Sequence, residues 1–136
     1  MRTRTKKQVI ASLDRLAREI CYLRSNRTCD KCGGTVGVQW AHIESRRKKG
    51  QMIRWSEKNC LALCAGPGSN SCHYWFDNNK IASTEWLRMH FPEKYYWLTD
   101  HVDGKPRSEH LFTEGIGALL MLEEELKDRK KELKNG

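Results

Sequence analysis

The chain has 136 residues, 38% of them hydrophobic and 31% charged, and 25 Lys and Arg against 17 Asp and Glu give a formal net charge of +8. This length favours one domain with a core small enough for a metal staple to matter, and the charge favours anionic partners, nucleic acid first. No run approaches the roughly 18 apolar residues of a membrane span, and no apolar segment of signal-peptide length follows the basic first residues, so a cytoplasmic protein with no membrane association is expected.

Residues 1–7 are basic and read as an arm that trails along phosphates. Over residues 8–23 the apolar side chains Val9, Ile10, Leu13, Leu16, Ala17, Ile20 and Leu23 recur at steps of three and four, which predicts an amphipathic helix with Cys21 as a small residue on it. Residues 1–28 thus form an N-terminal arm and helix. Cys29-Asp30-Lys31-Cys32 follows, and Gly33-Gly34 allows a tight turn around a metal. Val36, Val38 and Trp40 then alternate with Gly37 and Gln39, a short strand that delivers His42 at its end.

Residues 44–51 are polar and strongly basic and read as an exposed loop, and residues 52–55 as briefly extended. Residues 56–58 turn the chain into Asn59, and Cys60–Cys64 is an apolar return strand. After a Gly- and Pro-containing loop, an aromatic-rich helix begins at Cys72. A second short helix is expected over residues 83–90 with Ser83 or Thr84 as cap, and Pro92 starts a further turn through Trp97. The aromatic residues Trp75, Phe76, Trp86, Tyr95, Tyr96 and Trp97 build a small core. Residues 29–98 form the central unit.

Residues 99–136 comprise a polar linker and a last helix over residues 114–134. Ile116, Leu119, Leu120, Leu126 and Leu133 fall on roughly one side of it, and residues 127–131 form a solvated charged face. Together the elements predict an α+β fold: a small stapled core flanked by N- and C-terminal helices.

In a reducing compartment six cysteines point to metal ligation rather than disulfides. Structural zinc takes four ligands in a tetrahedron, often from two knuckles. Cys29 and Cys32 form the first. Cys64 and Cys72 are selected for the second, with residues 65–71 bulging outward between them. Cys60 with Cys64 is the competing pair.

The ordered set Cys29-x-x-Cys32, Ala41-His42-Ile43, Asn59 before Leu61-Ala62-Leu63-Cys64, and Cys72-His73 resembles the HNH endonuclease family. It is most similar to phage and prophage members with a four-cysteine zinc site. Trp75-Phe76-Asp77-Asn78-Asn79 and the segment from Glu85-Trp86 to Phe91-Pro92-Glu93 extend the likeness, which spans residues 29–97, half the chain.

The resemblance implies a ββα-metal core and phosphodiester hydrolysis, by nicking or double-strand cleavage. His42 matches the family's general base, His73 a ligand of the catalytic cation, and Asn59 the residue that braces the loop carrying the base. Neutral imidazole suits proton abstraction near pH 7, and a cation suits the charge of a pentavalent phosphate. Ala41 departs from the pattern: many members carry a metal ligand there. Asp77, four residues after His73 and so on the same helical face, is the candidate to compensate, with Mg²⁺ or another divalent cation as the expected ion. Arg46, Arg47, Lys48, Lys49 and Arg54 are expected to contact DNA phosphates. The alternative is a non-catalytic zinc-stabilised nucleic-acid-binding or phage assembly module. For a phage-encoded protein the expected setting is the host cytoplasm, with a packaging or recombination protein as a further partner.

Overall fold

The computed structural model describes residues 3–44, 53–66, 71–101 and 115–136. It is an α+β arrangement of five α-helices and a two-stranded antiparallel sheet among these residues.

Helix α1 spans Lys6–Ser25. Thr5 caps it, accepting from Gln8 N while the Gln8 side chain accepts from Thr5 N, so two donors of the first turn are satisfied reciprocally. The helix stops at Asn26, whose left-handed φ of 55° terminates helical bonding. Its stripe of Val9, Leu13, Leu16, Ala17 and Ile20 is buried against Leu119 and Leu126 of α5 (Ile116–Asn135) and against Trp55. The expected stripe therefore forms as far as Ile20, whereas Leu23 is exposed, and the helix has two more residues at each end than expected.

Strand β1 (Val38–His42) pairs with β2 (Cys60–Cys64), Val38 opposite Cys64 and His42 opposite Cys60. Pairing starts two residues later than the alternation suggested, and Val36 is 85% exposed. The reason lies at Gly37. It has φ +67°, and a Cβ there would stand 2.4 Å from the Ala65 carbonyl oxygen, so the backbones approach as only glycine allows. Between the strands, Ile53–Trp55 and Glu57–Asn59 are 3-10 turns, not the brief extended segment expected for residues 52–55.

The two faces of the sheet are covered differently. On one, Cys60 and Ala62 meet Cys21 of α1, with Val38 and Trp40 packed around them. On the other, Ala41, Leu61 and Leu63 pack with Phe76 of α2 (Cys72–Asn78) and Leu87 of α3 (Lys80–His90). Helix α3 starts before Ser83, which is buried within it rather than capping it; the residue before the helix, Asn79, makes no side-chain cap. Helix α4 (Pro92–His101) opens on Pro92 as expected and runs on past Trp97. Of the predicted aromatic core, Phe76 is buried and Trp75, Trp86 and Tyr95 pack beside it, whereas Tyr96 is 55% exposed.

Helix α5 departs most from its sequence pattern. Leu120 faces outward, and the position that completes the buried stripe is Glu123, 1% exposed. Arg4 makes this tolerable by donating to both carboxylate oxygens at 2.8 and 2.6 Å. Arg4 is therefore docked rather than trailing. The charged far end of α5 is anchored too: Arg129 binds Glu57 at 2.8 Å and Lys130 binds Glu19. Among the described residues no helix is long and apolar enough to cross a membrane.

The Arg4 hydrogen bonds hold the Glu123 carboxyl at about 2, down from the ordinary 4.5, against the opposing effect of burial. A carboxylate with a depressed folded-state pKa stabilises above the unfolded value and loses that contribution as pH falls through the folded one. Wild type should therefore outlast Glu123→Gln in urea at pH 7. The gap in unfolding midpoint should close as pH falls from about 4.5 towards 2.

Candidate functional site

The two knuckles and the strand end bring four thiols together. The Sγ atoms of Cys29, Cys32, Cys64 and Cys72 all lie within 4.8 Å of one another. They arrive by three routes. Cys29 and Cys32 sit on a turn closed by Cys29 N donating to Gly34 O at 2.8 Å and Gly33 N donating to Cys29 O at 3.0 Å. Asp30 docks this turn on β2: its amide donates to Ala62 O at 2.7 Å and its carboxylate accepts from Ala62 N at 2.8 Å. Cys64 ends β2. Cys72 begins α2, whose cap is Ser71, accepting from Tyr74 N.

This donor set fits a tetrahedral metal ion such as zinc. Sulfurs about 2.3 Å from a shared ion stand about 3.8 Å apart along a tetrahedral edge, and Cys32 Sγ and Cys64 Sγ are 3.8 Å apart. Peptide N–H groups point at the sulfurs as they would at thiolates: Lys31 N and Cys32 N to Cys29 Sγ, and Gly34 N to Cys32 Sγ, at 3.4, 3.5 and 3.4 Å. Burial pushes the Cys29 thiol up, but the peptide N–H groups around it prevail and bring it down to about 7. Burial and the neighbouring thiols drive Cys72 the other way, upward. Four sulfurs this close cannot all ionise unless a cation shares the charge. Cys60 lies apart from them, buried against Cys21 with its thiol directed at the Glu57 carbonyl.

Asn59 is fully buried. Its Oδ1 accepts from Glu44 N at 2.8 Å, and its Nδ2 donates to Glu44 O at 3.1 Å and Ile53 O at 3.0 Å. Its own carbonyl accepts from Ile43 N at 2.9 Å. One amide thus ties the exit of β1 to the 3-10 turn that follows residues 45–52. His42, the last residue of β1, has Nε2 at 2.9 Å from Arg54 O. A carbonyl only accepts, so Nε2 donates this bond. The imidazole packs on Trp40, ring centroids 4.4 Å apart.

His73 and Asp77 are also brought together. His73 Nδ1 is 2.9 Å from Gln39 Oε1 and Nε2 is 3.4 Å from Asp77 Oδ2. The amide oxygen accepts, so Nδ1 donates to it and Nε2 is the ring nitrogen that faces the carboxylate. An imidazole nitrogen and a carboxylate oxygen on one helical face are donor types that suit a divalent cation. His42 is placed differently. Ala41 is in the row that faces α2 and His42 in the row shared with Trp40, and Gln39 precedes His42 by about 10 Å of extended strand.

Arg54, expected at a phosphate, is held by Asp14 of α1 through bonds of 2.9 and 2.6 Å. Trp55 Nε1 donates to the same carboxylate at 2.8 Å. Arg46, Arg47, Lys48 and Lys49 lie outside the described residues. The supporting roles of Asp30 and Gln39 carried no sequence signal, since both sit in short motifs as ordinary polar residues. The chain matches no protein-family model, and comparisons with curated proteins and with solved structures give no significant match.

Two measurements check this construction. Metal analysis of the purified chain should give one zinc per chain, lost in Cys72→Ser and retained in Cys60→Ser. Asn59→Ala strands one buried donor and two carbonyls, so it should cost about 3 kcal/mol in urea unfolding at fixed zinc.

Proposed function

We propose that this chain is a metal-dependent DNA endonuclease of HNH type. The observation that carries the reading is the buried Asn59 brace, set between a strand ending in His42 and a helix beginning Cys72-His73. This is the order and role that the motif implies. In it the four thiols hold zinc and take no part in the chemistry. Cys72 fixes where α2 starts, and the next residue turns to the substrate.

His73 Nε2 and Asp77 would hold a divalent cation, Mg²⁺ or a similar ion. When bound, that ion supplies charge to the pentavalent phosphate and to the leaving 3′ oxygen. His42 would accept a proton from the attacking water while its Nε2–H stays anchored on the Arg54 carbonyl. Gln39 keeps the His73 proton on Nδ1 and so leaves Nε2 for the ion. Asn59 holds the loop after His42 in register. The basic residues 46–49 supply salt-sensitive phosphate contacts.

A second reading, a zinc-stabilised module that binds nucleic acid without cutting it, is favoured by one specific feature. Ala41, which cannot ligate, occupies the α2-facing row that His42 does not.

Supercoiled plasmid separates the two. The nuclease reading expects nicked or linear product with Mg²⁺ or Mn²⁺, none after a brief EDTA quench, and at least about a hundredfold loss in His42→Ala. Cleavage by His42→Ala at the wild-type rate would remove the assigned base. Salt-sensitive binding without any metal-dependent cleavage selects the module.

A further inference from the structure

One group of cations takes no part in the site above. A cleft of about 330 Å³ opens where the Glu57–Asn59 turn, the junction of α3 with α4, and α5 meet, and Arg24, Lys58, Lys94 and Arg129 line it. None of them belongs to the thiol cluster, the Asn59 brace or the His73–Asp77 pair.

Lys94 is the unusual member. It is 6% exposed, and its ammonium donates to the Glu57 carbonyl at 2.6 Å. Among the described residues no carboxylate lies within ion-pairing distance of it; Cys60, whose thiol points at the same Glu57 carbonyl, and Asp30 act on it from further off, and its side chain lines the cleft. A buried ammonium is costly unless an anion compensates it, and burial lowers the Lys94 pKa accordingly. Arg24 adds a second buried donor. Its Nη2 is bound to Asp30 at 2.8 Å, while its Nε is buried with no hydrogen-bond partner.

The rim strengthens the field. Lys58 and Arg129 stand there, their side chains 42% and 39% exposed. The two carboxylates on the same cleft, Glu93 and Glu57, are their partners, and the Lys58–Glu93 pair is loose at 3.5 Å. Arg24, Lys58 and Arg129 are paired with Asp30, Glu93 and Glu57, so among the described residues the Lys94 ammonium is the excess positive charge of the cleft. The first residues of α4, Pro92 and Glu93, also line it, so the positive end of that helix faces the same space.

We propose that this cleft binds a phosphate group, either a phosphodiester of a nucleic-acid backbone or a free phosphate ion. A tetrahedral oxyanion offers acceptors in several directions, which suits the Lys94 ammonium together with the Arg24 guanidinium and the two rim cations, of which Lys58 is the more loosely paired. Cleavage is not required: the proposal concerns binding on a surface separate from the site of hydrolysis.

Amide NMR of the full zinc-loaded chain tests it, with inorganic phosphate titrated at constant ionic strength and, in a second arm, a short duplex oligonucleotide. Saturable shifts are expected at Glu57, Lys58 and the amides from His90 to Tyr95, Pro92 having none. Lys94→Met keeps the buried stem and removes the charge, and Lys58→Glu changes an exposed side chain that folding does not need. Each should weaken binding by at least about tenfold. If the oligonucleotide moves the same amides and competes with phosphate, the ligand is the nucleic-acid backbone; if phosphate alone does so, it is the free ion. No saturable shift at these amides with either probe overturns the proposal. So does wild-type affinity in Lys58→Glu together with Lys94→Met, or in Lys58→Glu alone if Lys94→Met fails to fold.

Discussion

Two antiparallel strands of five residues each are marginal on their own in water. Everything else in this structure follows from covering them. The face bearing Cys60 and Ala62 is closed by α1, which is itself backed by α5; the face bearing Leu61 and Leu63 is closed by α2 and α3. The ends of the ladder are closed by chemistry rather than by apolar area. Four thiols gather beyond Val38 and Cys64, and the Asn59 amide locks the chain beyond His42 and Cys60. The candidate catalytic residues sit on those closures, so the groups that stabilise the sheet are neighbours of the groups proposed to act.

Electrostatics attaches what the apolar stripes leave loose. Helix α5 contributes few fully buried apolar residues, and three ion pairs spread along it, from Glu123 to Arg129 and Lys130, tie it to Arg4, Glu57 and Glu19. Of these, the pair on Glu57 has the longest reach. Glu57 opens the turn that ends at Asn59, so the last helix of the chain bears on the segment that positions the exit of β1.

The elements most legible in the sequence were those whose periodicity is driven by burial. The stripe of α1 and the run Cys60–Cys64 came through because their apolar positions do little else. The choice of Cys64 and Cys72 over Cys60 went against the usual ligand spacing and rested on the strand reading and the loop between the two cysteines, and these four thiols are the ones that converge. Periodicity failed where a charged residue occupies a core position, since Glu123 reads as surface until Arg4 is seen beside it. The pairing of Arg54 was not visible either: a cation in a basic stretch suggests phosphate, and a partner 40 residues earlier in the chain, Asp14, binds it in the structure. Long-range pairing of this kind has no local signature. The start of β1 was misplaced for a related reason: the contact that demands glycine at position 37 comes from Ala65.

The adjacency of Cys72 and His73 has a consequence for the orientation of α2. Successive residues of an α-helix project about 100° apart around its axis, and a helix of seven residues has too few apolar contacts to fix that angle alone. Tethering the Cys72 sulfur in the thiol cluster sets the rotational phase of the whole helix from its first residue. The directions of His73 and Asp77 are then dictated, and with them which rim of the domain presents that pair. A one-residue insertion between Cys72 and His73 would leave every side chain present and the cluster intact, yet turn the histidine by more than a quarter of a revolution.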